Sequence, residues 1–230
     1  RDDLKRVRKD MGHGTLRVSL EWSRIFPRAT CGVDGPAALR ALSAPEALAF
    51  YHDLFDKMRK EGLKPLVTIN HYTLPIWLHD AKACNKNLVA CERKGWGDPE
   101  RIVPEIAKFA RFVAEEFGGE VDLWATLNEP LSAVALPSYL LPSQYRSNPP
   151  GLNFQIAATK AATRAMIEAH ARMYDAVHAG DIWDADLDGK AADVGLVSAF
   201  SPIYPRRDSA ADQQTADDLS YLANHMFLKA

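Results

Sequence analysis

The carboxylic acid of Glu129 and the side-chain amide of Asn128 have the types and placement to do chemistry together. Glu129 stands in the run Thr126-Leu127-Asn128-Glu129-Pro130. The alternation Val121, Leu123, Ala125, Leu127 before it predicts a strand, so its carboxyl projects from a strand end. A carboxylic acid placed there can give a proton to a leaving oxygen and take one back from water. Asn128 beside it can hydrogen-bond a hydroxyl. On the tripeptide alone, a solvated glutamate before a proline is the better reading, because Asn-Glu-Pro is short and occurs by chance.

The positioning elements are legible from pattern. Leu4, Val7 and Met11 fall at helical spacing. Leu16, Val18, Leu20 and Trp22 alternate with Arg17, Ser19 and Glu21, a period of two that predicts a strand. A loop is expected from Cys31 to Ala44, then a helix from Pro45 to Gly62. Leu66 to Asn70 reads as a short buried strand, followed by a long polar loop containing Trp77 and Gly95-Trp96-Gly97. Asp98 and Pro99 predict a capped helix start. Its apolar stripe is Ile102, Ile106, Phe109, Val113 and Phe117. After a Pro-rich loop to Gly151 come a helix from about Phe154 to Gly180, a strand Val194–Phe200 and a helix Ala216–Phe227.

Strands alternating with long crossovers require a parallel sheet. A doubly wound sheet usually carries a glycine-rich turn after an early strand, and none occurs. Polar residues gather instead at the C-terminal ends of strands, where (β/α)8 TIM barrels place their sites. The expected fold is therefore α/β, a partial TIM barrel forming one incomplete domain over residues 1–230.

Bulk properties narrow the partners. The formal net charge is −2, from 28 basic and 30 acidic side chains. With no basic block, nucleic acid is not an expected partner. No stretch reaches the ~20 apolar residues of a membrane span. The charged N-terminus shows no signal peptide, which makes cytoplasmic the default location. Cys84 and Cys91 can bridge, but with only Cys31 left over, free thiols are the preferred reading. No Cys-x-x-Cys or His-Glu-x-x-His pattern is present, so neither a metal nor a cofactor is expected.

Five segments in order resemble glycoside hydrolase family 1. Arg17-Val18-Ser19-Leu20-Glu21-Trp22-Ser23-Arg24-Ile25-Phe26-Pro27 is similar to the family's second barrel strand, and Asn70 to Leu78 to its third. Gly95-Trp96 with the following helix resembles the next element. Asp122 to Pro130 looks like the fourth strand with the acid/base motif, and Ser201-Pro202-Ile203-Tyr204-Pro205 like the end of the fifth. The resemblance implies a retaining β-glycosidase acting on small β-glycosides or oligosaccharides. It implies Glu129 as general acid/base, Asn128 on the sugar's 2-hydroxyl, His71 on a hydroxyl of the same ring, and Arg17 orienting the nucleophile. Tyr72 departs from the family, which usually has tryptophan there, and so alters the sugar subsite.

Each residue has a plainer reading. His71 can be a structural histidine, and Arg17 can simply pair with Glu21. Trp22, Trp77 and Trp96 are more often packing than sugar platforms. Arg206 and Arg207 read as solvated surface. The family's nucleophile, a glutamate in a Glu-Asn-Gly setting, is absent; the last glutamate is Glu168, inside a helix. The chain thus reads as about strands two to five of the barrel. Three arrangements would explain that: a truncation, a complementary half on another chain, or a second copy closing the barrel. Two other functions compete: a cellulase- or mannanase-type barrel glycosidase, and an inactive domain that binds carbohydrate or a protein partner.

Overall fold

The computed structural model describes residues 2–141 and 148–229. The tip of the expected Pro-rich loop, 142–147, lies outside the described residues. The element order is α1 (Asp2–Lys5), which runs on into a π-helical turn (Arg6–Asp10), β1 (Thr15–Ser19), α2 (Trp22–Ile25), α3 (Pro36–Leu42), α4 (Pro45–Lys60) and β2 (Lys64–Asn70). Then come α5 (Ala81–Lys86), a 3-10 turn (Gly95–Gly97), α6 (Pro99–Phe117), β3 (Leu123–Asn128), a π-helical turn (Pro130–Ala135) and α7 (Leu136–Tyr139). The last elements are α8 (Ile156–Gly180), β4 (Asp193–Val197), α9 (Ala210–Ser220) and a closing π-helical turn (Tyr221–His225).

The four strands form one sheet in the order β1-β2-β3-β4, every pair parallel. Sequential order without reversal is the winding of a barrel wall; a doubly wound sheet reverses direction at its switch point. Burial confirms two faces. On β1, Leu16 and Val18 pack against the core while Thr15, Arg17 and Ser19 are exposed.

The core lies between the sheet and its helices. Trp22 stacks on Phe109 with centroids 5.0 Å apart, and Phe26 meets both Phe109 and Phe112 edge-on. The stripe of α6 is buried along its whole length, as its spacing requires. Small residues Ala162, Ala165 and Ala169 let α8 approach α6 closely. At Gly180 a Cβ would meet the Arg111 carbonyl at 2.8 Å, so only glycine closes that crossing. Trp124 Nε1 donates to Asp181 Oδ2 at 2.8 Å, tying β3 to the end of α8. Burial pushes the Asp181 carboxyl up to about 6.

Several expectations need correction. The segment read as a loop contains α3, because Pro36 sets the first helical turn and Leu39 finds the core. The first strand stops at Ser19, since Glu21 caps α2 by accepting from the Ser23 N–H. The last strand ends at Val197, not Phe200, and the final helix starts earlier, where Ser209 caps it. Asp98 occupies the expected cap position of α6 but its side chain makes no capping bond. Cys84 and Cys91 are joined in a disulfide, with Cα atoms 4.9 Å apart, instead of being free thiols. The physical reason is local. The Cys91 N–H donates to the Asn87 carbonyl, and Arg93 pairs with Asp80 at 2.6 Å, which folds the segment back on itself. Cysteine spacing alone does not reveal such a turn.

Phe109 touches both Trp22 and Phe26, so Phe109→Ala should cost about 3–5 kcal/mol in urea unfolding. A loss under about 1 kcal/mol would show that this cluster is not the centre of the core.

Candidate active site

Side chains from β1, from the end of β3 and from just past β2 converge on one amide. Asn128 closes β3 and is 3% exposed. Its Oδ1 accepts from Arg17 Nη1 at 3.0 Å, and its Nδ2 donates to the Tyr72 hydroxyl at 2.7 Å. Arg17 lies on β1 and Tyr72 just past β2, so the bond from Arg17 reaches over β2. That reach requires the sheet to curve, with Arg17 on its concave face, and needs a side chain as long as arginine.

The turns at these strand ends are unusual. Glu129 sits at φ 45°, ψ 53°, and Tyr72 at φ 74°, both left-handed. For non-glycine residues this costs roughly 1–3 kcal/mol each and persists only where surrounding contacts over-determine it. At Glu129 the N–H donates to the Val197 carbonyl at 2.8 Å, and the carbonyl accepts from the Ala133 N–H at 3.0 Å. Pro130 then fixes the exit into the π-helical turn. At the other turn, Asn70 Nδ2 donates to the Thr73 carbonyl at 2.9 Å. Thr73 Oγ1 in turn donates to Glu21 Oε2 at 2.7 Å.

Glu129 is half-buried and opens onto a cavity of about 530 Å³ that it shares with Tyr72, Ser132 and Asn148. A second cavity of about 470 Å³, with Trp96 and His79 in its wall, meets the first at Tyr72 and Asn148. Glu129 is the only carboxylate among the described residues lining the first cavity. Burial raises the Tyr72 phenol, and the Glu129 charge raises it further. The phenol therefore stays protonated at neutral pH while its oxygen accepts from Asn128. His71 packs edge-on against Tyr72. Burial lowers its pKa and the Arg17 cation lowers it further, against an opposing pull from Glu129. A neutral imidazole can both donate to and accept from hydroxyl groups.

All five sequence-selected residues thus meet at one rim. Arg17 does not pair with Glu21; its partner is Asn128, because Glu21 is taken up by Ser23 and Thr73. Trp22 and Trp77 are core residues, and Trp77 Nε1 donates to the Phe26 carbonyl. Glu168 is on the exposed side of α8, paired with Arg172. Arg207 is at the surface, bound to Asp212. Sequence reading missed Asn70, Thr73 and Glu21, which fasten the rim. A polar residue closing an apolar run, as Asn70 does, is the signal that was available.

A sequentially wound parallel sheet with a carboxylic acid and a buried asparagine at its C-terminal rim defines a partial (β/α) barrel of the glycosidase type. The chain belongs to glycosyl hydrolase family 1, whose model matches residues 1–230. It is 31% identical to a β-galactosidase of Pyrococcus woesei, over 97% of this chain and 48% of the relative. It is 33% identical to a 6-phospho-β-galactosidase of Lacticaseibacillus rhamnosus, over 94% of this chain and 38% of that protein. Among solved structures it superimposes on Fpglu1 of Fervidobacterium pennivoraus with a TM-score of 0.85 at 28% identity, covering 99% of this chain and 46% of the other. The chain therefore spans about half the length, or less, of the curated relatives it matches. No helix among the described residues is long and apolar enough to cross a membrane.

The proximity of two opposite charges, Arg17 and Glu129, makes His71 a reporter of the site. Arg17→Met should raise the His71 pKa, and Glu129→Gln should lower it, in an NMR titration of the ring protons. An unchanged His71 titration in Arg17→Met would show that the arginine does not face this rim.

Proposed function

We propose that the protein carrying this chain is a retaining β-glycosidase acting on small β-glucosides or β-galactosides. The observation that carries the reading is the placement of Glu129. It is held left-handed at the end of β3, beside an asparagine already fixed by Arg17 and Tyr72. In this reading Glu129, protonated, gives its proton to the glycosidic oxygen as the bond to the anomeric carbon breaks. A second carboxylate takes that carbon, forming a glycosyl-enzyme. Glu129, now ionised, removes a proton from the water that releases the sugar. Asn128 Nδ2 and the neutral His71 ring bind hydroxyls of the same sugar, and Arg17 orients the second carboxylate. Asn128 would then exchange its bond to Tyr72 for one to the substrate.

That carboxylate would come from outside residues 1–230, which form one partial barrel domain. The rest of the barrel, supplied by the same polypeptide, a complementary half or a second copy, would bring it within about 5 Å of Glu129. Family membership favours this reading over a cellulase- or mannanase-type enzyme. The lack of a second carboxylate among the described residues lining the Glu129 cavity is the observation that favours an inactive, sugar-binding relative. The Cys84–Cys91 disulfide favours an oxidising compartment over the cytoplasm.

Leaving-group dependence separates these readings. In the protein with a complete barrel, Glu129→Gln should lower kcat/KM about 10²–10⁴-fold on alkyl β-glucosides. On dinitrophenyl glucosides, whose leaving group needs no proton, the loss should be much smaller. Equal losses on both would remove Glu129 from the acid role. Sugar binding with no turnover in the unmodified protein would establish the inactive reading.

A further inference from the structure

Away from the Glu129 rim, where the strands begin, lies a group of carboxylates that the proposed reaction does not use. Asp122 directly precedes β3; Asp184 and Asp186 belong to the loop between α8 and β4. One carboxylate oxygen from each lies within 4.8 Å of the others. Lys64 Nζ, 2.5 Å from Asp186 Oδ2, offsets one of the three charges. Backbone N–H groups satisfy more of the oxygens. Ala185 donates to Asp122 Oδ1 at 2.9 Å, and Asp188 and Gly189 donate to the two oxygens of Asp184 at 3.1 and 2.9 Å.

Two oxygens are left over. Asp122 is 7% exposed, yet its Oδ2 is fully buried and has no donor among the described residues; the same holds for Asp186 Oδ1. An ionised carboxylate only accepts, so two orphaned oxygens in one buried cluster are unfavourable unless a proton or a cation joins them.

Two features favour a cation over a shared proton. The available donors are all hard oxygens. Ligands 2.3–2.6 Å from one calcium ion can be at most about 5 Å apart, which this cluster meets. In addition, Asp184-Ala185-Asp186-Leu187-Asp188-Gly189 alternates aspartates and places glycine sixth, the spacing of an EF-hand calcium loop. Gly189 has φ +94°, a conformation that glycine adopts freely. The twelfth position, glutamate in an EF-hand, is Gly195 within β4 here; Asp122 brings a carboxylate from the neighbouring strand instead. A cavity of about 260 Å³ bordered by Lys64, Asp122 and Asp186 gives an ion access.

We propose that Asp122, Asp184 and Asp186 bind one Ca²⁺ ion, which locks the α8–β4 loop to the start of β3. The site is structural: it stiffens the strand whose other end holds Asn128 and Glu129.

Calorimetric titration of chelator-treated protein with CaCl₂ should show one site per chain, with Kd of about 10⁻⁴ M. Asp186→Asn should weaken it roughly tenfold or more, since affinity follows ligand charge, while Asp217→Asn, an exposed carboxylate on α9, should leave it unchanged. Should Asp186→Asn fail to fold, terbium luminescence locates the ion without touching a carboxylate. Emission excited through Trp183, beside Asp184, should be displaced by Ca²⁺ and lost in Trp183→Phe. Absence of calcium binding, binding unaltered by Asp186→Asn, tighter binding of Mg²⁺ than of Ca²⁺, or terbium emission independent of Trp183 would each overturn the proposal.

Discussion

The side-chain amide of Asn128 is the joint on which the site depends. It accepts from Arg17 on β1 and donates to Tyr72 past β2, while standing at the end of β3. A parallel sheet by itself does not set how far its strand ends converge. Backbone pairing fixes neighbours, and curvature follows from what the concave face must satisfy. Here that face carries a guanidinium, and its observed partner is one asparagine oxygen two strands away. The bond is charge-assisted, in a class worth about 1.5–3 kcal/mol. Together with the bond to Tyr72 it fixes the amide in one orientation before any substrate arrives.

Backbone strain and side-chain bonding act together at this rim. Glu129 and Tyr72 occupy left-handed conformations that their side chains do not favour. The first is held by the β4 carbonyl at Val197 and by Pro130, the second by the Asn70–Thr73–Glu21 chain of hydrogen bonds. Strain of this kind aims a side chain off the strand axis and into the cavity. The opposite end of the same strand is fastened differently, by aspartates and backbone N–H groups. In (β/α) barrels the C-terminal strand ends carry the functional side chains and the N-terminal ends carry stability.

Much of this was legible in the sequence. Strand and helix positions followed from periodicity, most clearly for α6, whose five stripe residues are all buried. Barrel winding followed from strand–helix alternation and the missing glycine-rich turn. The five rim residues came from strand-end placement and the resemblance of whole segments, and the structure brings all of them together. What failed was local and three-dimensional. Arg17 and Glu21 share a period-two face, but the strand stops between them, so their side chains part. Cys84 and Cys91 meet because a short helix folds back, which depends on Asp80 and Asn87 as much as on the cysteines. The aspartate cluster is hard to read from sequence because its third carboxylate lies some sixty residues away from the loop, at Asp122.

The most direct test of the central joint is a double-mutant cycle on unfolding free energy with Arg17→Met and Asn128→Ala. If the amide ties β1 to β3, the two losses are not independent, and a coupling of about 1 kcal/mol or more is expected. Losses that add to within about 0.3 kcal/mol would show that Arg17 and Asn128 do not act on each other, and the account of the rim would fail.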